Sequence, residues 1–309
     1  MRSLGINPAS ASALLLLCLL WSATPLRSDL LPGSVSPADS ASLMNQAMIL
    51  ALFAVLALSA ALVRKANWPR GHLLLQAILA GAGLFALPAF TIDLARNYID
   101  EATHVALFSL VPVFAVVFEP HLGDSSQAPP QGGSLVAALT AVAGTLLVFP
   151  VELPHTVASI LAFVSIMMAA AVLAASNCIA VKLAHNPPAV PLAVLAAVSI
   201  GTAAIVLAIS SVLIESHLWS ALHPDPWAIT DLLALALLFW LMPRIYALRA
   251  TTRFLIAPLL ANLVALAFLR PGVQARAWLG LTLIALGSAW LLFAHDDERD
   301  QTGSPLGIN

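Results

Sequence analysis

Residues 189–214 read AVPLAVLAAVSIGTAAIVLAISSVLI, 26 residues without one charged side chain. About 20 apolar residues in a helix cross the roughly 30 Å hydrocarbon core of a bilayer. A helix also closes its own backbone hydrogen bonds, which lipid cannot do for it. The stretch therefore reads as a transmembrane helix, and the whole chain shares its character. Of 309 residues, 61% are hydrophobic and 9% charged, with a mean hydropathy of +0.95. A soluble chain carries about a quarter of its residues charged. That polar coat is missing here.

Working outward, further apolar runs predict spans near 10–28, 43–63, 72–92, 103–119, 134–151, 157–181, 189–214, 228–247, 253–269 and 276–294. The largest polar tracts are 120–133 and the tail after His295, neither long enough for a separate aqueous domain. The predicted class is all-α, a polytopic membrane protein of about ten transmembrane helices. With the amino terminus inside, the inner segments carry Arg2, Arg64, Lys65, Arg70, Lys182, Arg244, Arg249, Arg253 and Arg299. The outer segments carry Arg27, Arg96, Arg270 and Arg276. Nine cations against four place both termini in the cytoplasm, which requires an even number of crossings. Leu14–Leu20 followed by Trp21-Ser22-Ala23 also has the form of a signal peptide's apolar core and exit. Cleavage there would leave nine spans, and an uncleaved first helix is preferred.

The two halves echo each other. A shift of 155 positions lays Leu84-Phe85-Ala86-Leu87-Pro88 on Phe239-Trp240-Leu241-Met242-Pro243 and Arg27 on Lys182. A shorter shift pairs Pro112 with Pro258, each in the fourth span of its half, and the closing spans carry Gly144 and Gly287. Five spans per half is an odd number, so the second half must insert upside down. The expected domains are a first repeat over 1–152, an inverted second repeat over 153–295, and a cytoplasmic tail over 296–309. Inverted repeats recur in transporters, with the substrate site near mid-membrane where the repeats meet. The helix-breaking prolines Pro88, Pro112, Pro243 and Pro258 point there, although a proline alone also kinks helices for packing.

Leu19-Leu20-Trp21-Ser22, Val111-Pro112-Val113-Phe114 and the closing stretch from Trp278 to Gly287, with Gly280 and Gly287, resemble the EamA-like branch of the drug/metabolite transporter superfamily. The resemblance covers nearly the whole chain on mostly apolar motifs. It implies ten helices, inverted five-helix repeats and alternating-access export or exchange of small metabolites. The sequence departs from the family at several places. Asp124 and Arg270 stand where a glutamate is usual, with Glu119 coming early. Asn45-Gln46 replaces an arginine of the second helix, and Ala137 stands in place of a glycine.

A charge at mid-bilayer costs on the order of 3 kcal/mol, so polar residues in the spans are the pathway candidates. Arg27 either attracts an anionic group or snorkels to the headgroups. Asp93 and Arg96, spaced i, i+3, either gate the pathway or form an interfacial ion pair. Asn177 and Asn262 either bind substrate or join neighbouring helices. Trp21, Trp240 and Tyr246 are candidate aromatic walls, with Trp240 beside Pro243 and Arg244. Trp219, Trp227 and Trp278 read as interface anchors. Lys182, Arg244, Arg249 and Arg253 read chiefly as cytoplasmic topology charges, with a subset able to draw anions toward an inner vestibule. Ala77, Gly81, Ala285 and Ala289 suit close helix packing.

Enzyme chemistry has no sequence support. No His-Glu-x-x-His, phosphate loop or Gly-x-Ser-x-Gly motif occurs. The histidines lie singly, apart from His217 and His223, which share a loop with Asp225 without metal-pair spacing. Cys18 and Cys178 sit in apolar runs and read as buried small residues. No metal or cofactor is expected. A net charge of −2 gives no field for nucleic acid. The expected partners are membrane lipid and a small-molecule substrate, with a homodimer left open. The sequence thus reads as a secondary carrier in a bacterial inner membrane. The alternative is a non-transporting membrane scaffold or a lipid-acting enzyme.

Overall fold

A computed structural model of the chain describes residues 8–30, 42–123, 131–185, 190–214, 228–269 and 275–293, the side chains of 23–30, 131 and 268–269 excepted. Both termini, Asp124, His217, Trp219, His223, Asp225, Trp227, Arg270 and the tail over 296–309 lie outside the described residues, as does the Arg27 side chain. Among the described residues every regular element is a helix.

In chain order these are α1 (Pro8–Leu30), α2 (Leu43–Val63), α3 (His72–Ala95), α4 (Glu101–Leu122) and α5 (Gln131–Val148). There follow α6 (Val157–Ala184), α7 (Leu192–Ile214), α8 (Ala228–Leu241), α9 (Ala247–Thr251 continuing as Arg253–Leu269) and α10 (Ala275–Phe293). Seven of them, α2, α3, α4, α6, α7, α9 and α10, are long and apolar enough to cross a membrane. The apolar stretches of α1, α5 and α8 are shorter. Large apolar side chains face outward along the bundle, among them Val55, Leu62 and Val63 on α2, Leu213 on α7 and Phe293 on α10. Water would penalise so much exposed apolar surface and lipid does not. The chain is an all-α integral membrane protein.

Local chemistry sets the helix ends. Ser42 caps α2 by accepting from the Asn45 N–H at 3.2 Å, and Asp100 caps α4 by accepting from the Thr103 N–H. Thr156 and Ser159 form a reciprocal capping box at the start of α6. Within the spans, hydroxyls return to their own helix, as Thr145 does to the Ala141 carbonyl and Ser199 to the Leu195 carbonyl. Little polar group is then left facing hydrocarbon.

Helices α2 and α7 pack along each other, as do α5 and α10. Helix α6 lies against α3 and α4, while α1 lies against α8 and α9. Small residues carry the tightest crossings. A Cβ on Gly144 would lie 2.6 Å from the Gly280 carbonyl oxygen, and one on Gly287 would lie 2.6 Å from that of Ala137. Gly81 crosses the Ser199 backbone still more closely. Of the predicted packing residues, Ala77 and Gly81 are buried, whereas Ala285 and Ala289 are exposed. On α10 the buried face runs through Gly280, Ile284, Gly287 and Leu291 instead.

Three helices are interrupted. In α3 the turn Ala82–Ala86 widens to π geometry directly before Leu87 and Pro88. The Leu87 N–H reaches back to the Ala82 carbonyl, a spacing that makes room for the proline ring. Helix α4 breaks between Phe108 and Val111, with Pro112 opening its second segment. Helix α9 breaks at Thr252. The spans predicted near 228–247 and 253–269 need correction. The first ends at Leu241, residues 242–246 turn, and the next helix already starts at Ala247. Pro243 lies in that turn, where its ring and missing N–H cannot extend α8.

Candidate functional site

On α9, residues Phe254, Ala257, Pro258, Ala261, Asn262 and Ala265 recur every three or four positions and so share one face. That face borders a cavity in two lobes of about 440 and about 420 Å³. Both lobes touch Trp21 of α1, Glu101 and Val105 of α4, and Ala257 and Pro258 of α9. The larger adds Leu84, Phe85, Pro88 and Ile92 of α3, His104 and Phe108 of α4, Leu173 of α6, and Arg253. The smaller adds Ser22, Phe149 and Asn262. Most of the lining is apolar, with a few polar groups that converge on it, as small-molecule sites require.

Arg253 lies at the buried end of this lining and is 2% exposed. Its guanidinium carbon stands 5.1 Å from the Trp21 ring centroid and 4.8 Å from that of Phe254. Cation–π attraction offsets part of its lost hydration. One terminal nitrogen donates to Asn177 Oδ1 at 3.3 Å and to the Ala250 carbonyl at 3.1 Å, while Nε has no hydrogen-bond partner. Among the described residues no carboxylate forms an ion pair with it. His104, also buried in the cavity wall, has its Nε2 unpartnered.

Toward the opposite end of the bundle the described helices are packed together. There the short helix Ala247–Thr251 packs on Val111–Leu122 of α4 and on α6. Glu119 of α4 is buried beside the start of that short helix, whose cap position Tyr246 supplies no side-chain hydrogen bond, and among the described residues its Oε2 has no hydrogen-bond partner. Arg249 is buried close by, its guanidinium 5.6 Å from the Tyr246 ring. The crevice lined by Glu119, Cys178, Lys182, His185 and Tyr246 holds only about 10 Å³. The two ends differ in a specific way. Glu101–Phe108 of α4 and Arg253–Leu269 of α9 line the cavity from opposite sides, whereas Ala247–Thr251 and Val111–Leu122 are in contact.

Of the residues singled out from sequence, Trp21, Pro88, Pro258 and Asn262 come together in the cavity. Asn177 sits behind it, donating to the Ala247 carbonyl at 3.0 Å and accepting from Arg253. Asn262 donates to the Pro258 carbonyl of its own helix at 2.8 Å. Asp93 and Arg96 form the i, i+3 ion pair at 3.1 Å, with Asp93 buried and Arg96 exposed, one residue beyond the cavity wall at Ile92. Trp240 is 37% exposed and covered by Arg244, whose guanidinium carbon lies 3.9 Å from its ring and which also donates to its carbonyl. Neither borders the cavity. Tyr246 lines the closed crevice, Pro112 is buried in α4 and Pro243 stays in the α8–α9 turn.

Two arginines read as topology charges, Arg249 and Arg253, are buried instead. They start a helix that docks inward on α4 and α6 rather than ending one at the membrane surface. Glu101, His104 and Phe254 were not anticipated as wall residues. Stepping back from Asn262 and Pro258 along the same α9 face arrives at Phe254 and its neighbour Arg253, a periodic signal the sequence carries. Cys18 and Cys178 are free and buried, as predicted. Among the described residues no group of three or more His, Cys, Asp or Glu side chains gathers to hold a metal ion.

No family model and no curated protein matches the chain. Solved structures do match. One, described only as a protein crystal structure, aligns over 91% of this chain and 97% of its own with a TM-score of 0.68 and 18% identity. At that identity the likeness establishes a shared fold of nearly equal length.

Proposed function

We propose that this chain is a secondary carrier of a small metabolite, built as two inverted five-helix repeats and related to the EamA-like drug/metabolite transporters. The observation that carries the reading is the unequal bundle, with a large cavity between α4 and α9 toward one end and a packed contact between the same helices at the other. A carrier caught with one side open has this form.

Several features support the duplication. The two tight contacts between α5 and α10, Gly144 with Gly280 and Ala137 with Gly287, exchange under one shift of 143 positions. A two-fold axis between the helices produces such reciprocity. The pairing of α1 with α8 and α9 likewise matches that of α6 with α3 and α4. Both fourth helices of the halves are interrupted and carry Pro112 and Pro258. With both termini cytoplasmic, as the Lys/Arg distribution predicts, the cavity opens away from the cytoplasm, and the membrane is a bacterial inner membrane. The substrate, lipid and any second copy in a homodimer are its partners.

Reconstituted into liposomes, the protein is expected to exchange a labelled solute from a broad metabolite panel. Trp21→Ala and Asn262→Ala should lower that flux at least tenfold, while lipid-facing Trp290→Ala leaves it unchanged. Folded protein in sealed vesicles with no flux for any panel member would remove the carrier reading.

A further inference from the structure

We propose that the cavity binds organic monocarboxylates with an apolar body, the carboxylate seated on Arg253. The proposal deepens the carrier reading and rests on it for the direction of transport, but the binding chemistry stands on the site itself. A guanidinium is among the least tolerable groups to bury, and a buried cation is normally matched by a carboxylate. Arg253 is 2% exposed, yet no described acidic side chain pairs with it. Its hydrogen bonds go to neutral oxygens of Asn177 and Ala250, and Nε is left without a partner in the cavity lining. A ligand carboxylate completes this arrangement. Its oxygens match the planar donor fork of an arginine, and in a dry site such a charge-assisted bond is strong.

The remaining wall narrows the class. Trp21, Phe254, Phe85 and Phe108 surround the larger lobe and favour an apolar or aromatic body. His104 offers an unpartnered ring nitrogen in the same wall. Glu101 is exposed in both lobes, and its negative charge works against a second anionic group. One deep cation with one acidic group elsewhere in the lining selects a monoanion over a polyanion.

The test uses the full-length detergent-purified protein and four probes that share a phenylethyl body: 3-phenylpropionate, its neutral amide, 2-phenylethylamine and phenylalanine. Calorimetric titration is expected to show 3-phenylpropionate binding at least tenfold more tightly than the amide or the amine. Arg253→Gln should remove that preference. Arg253→Lys, which keeps the charge and loses the planar fork, should retain an intermediate preference and serves if the glutamine variant does not fold. Equal binding of amide and carboxylate, tighter binding of the amine or of phenylalanine, or an unchanged preference in Arg253→Gln would each overturn the proposal. Binding without flux in liposomes would keep the anion site and remove the carrier. Flux of other solutes, with no selectivity for the carboxylate, would keep the carrier and remove the anion site.

Discussion

Asn177 and Asn262 are the same side chain in two helices of similar apolarity, and the structure gives them different surroundings. Asn177 is fully buried and joins α6 to both segments of α9, donating to Ala247 and accepting from Arg253. Removing its amide takes a donor from the Ala247 carbonyl and leaves the Arg253 terminal nitrogen only the Ala250 carbonyl in a dry interior, at about 1–3 kcal/mol for each lost partner. Asn177→Ala is therefore expected to lower unfolding free energy in detergent by about 2–4 kcal/mol. Among the described residues Asn262 bonds only to Pro258 of its own helix, and it lines the cavity. Asn262→Ala should change stability by less than about 1 kcal/mol while lowering transport. Equal stability losses in the two variants would show that this division is wrong. Sequence alone left each amide open to both roles, because the deciding partners of Asn177 lie 70 and 76 positions away. Arg253 was misread for a related reason. A cation at the start of an apolar run looks like a topology charge until the preceding turn is seen to fold inward.

The helices themselves were more legible than their interruptions. Composition and run length place eight of the helices to within a few residues, since hydrocarbon enforces both helix and length, and miss the boundary between α8 and α9 by about six. The small-residue crossings were partly legible too. Gly144, Gly280 and Gly287 stand out in the sequence, with Ala137 in place of a fourth glycine, but only the packed helices reveal that Gly144 meets Gly280 and Ala137 meets Gly287. Leucine at Gly280 would push a branched side chain into the Gly144 carbonyl, which is backbone and has no rotamer to yield. Gly280→Leu is expected to destabilise the α5–α10 pair by about 1–3 kcal/mol or more, read as a lower thermal midpoint in detergent. The π turn in α3 was not legible, because sequence marks Pro88 but not how the helix accommodates it. Pro88→Ala restores an N–H and removes the ring, allowing α3 to tighten toward regular geometry. The expected result is a higher midpoint together with slower flux, the trade that a strained element beside a binding cavity predicts. Unchanged flux would mean the π turn has no part in transport.

At the scale of the molecule, the α4–α9 relation must invert if the carrier works. Ala247–Thr251 now packs on Val111–Leu122, while Glu101–Phe108 and Arg253–Leu269 flank the cavity. If the halves are equivalent by an inverted two-fold, the second pair should come together when the first comes apart. Ala102 and Ala261 line the smaller lobe from these two helices and will report that approach. A disulfide forms only when the two Cα atoms come within about 7 Å. Cys18 and Cys178 are buried and will not compete for oxidation. In the double variant Ala102→Cys/Ala261→Cys, mild oxidation during turnover is expected to trap a cross-linked species. Flux should fall to background and return on reduction. Saturating substrate that carries the protein through its cycle should speed the trapping. If both thiols react with a soluble maleimide but no disulfide forms during measured transport, α4 and α9 do not close over the cavity. Rocking of two equivalent halves would then be the wrong mechanism for this bundle, whatever solute it moves.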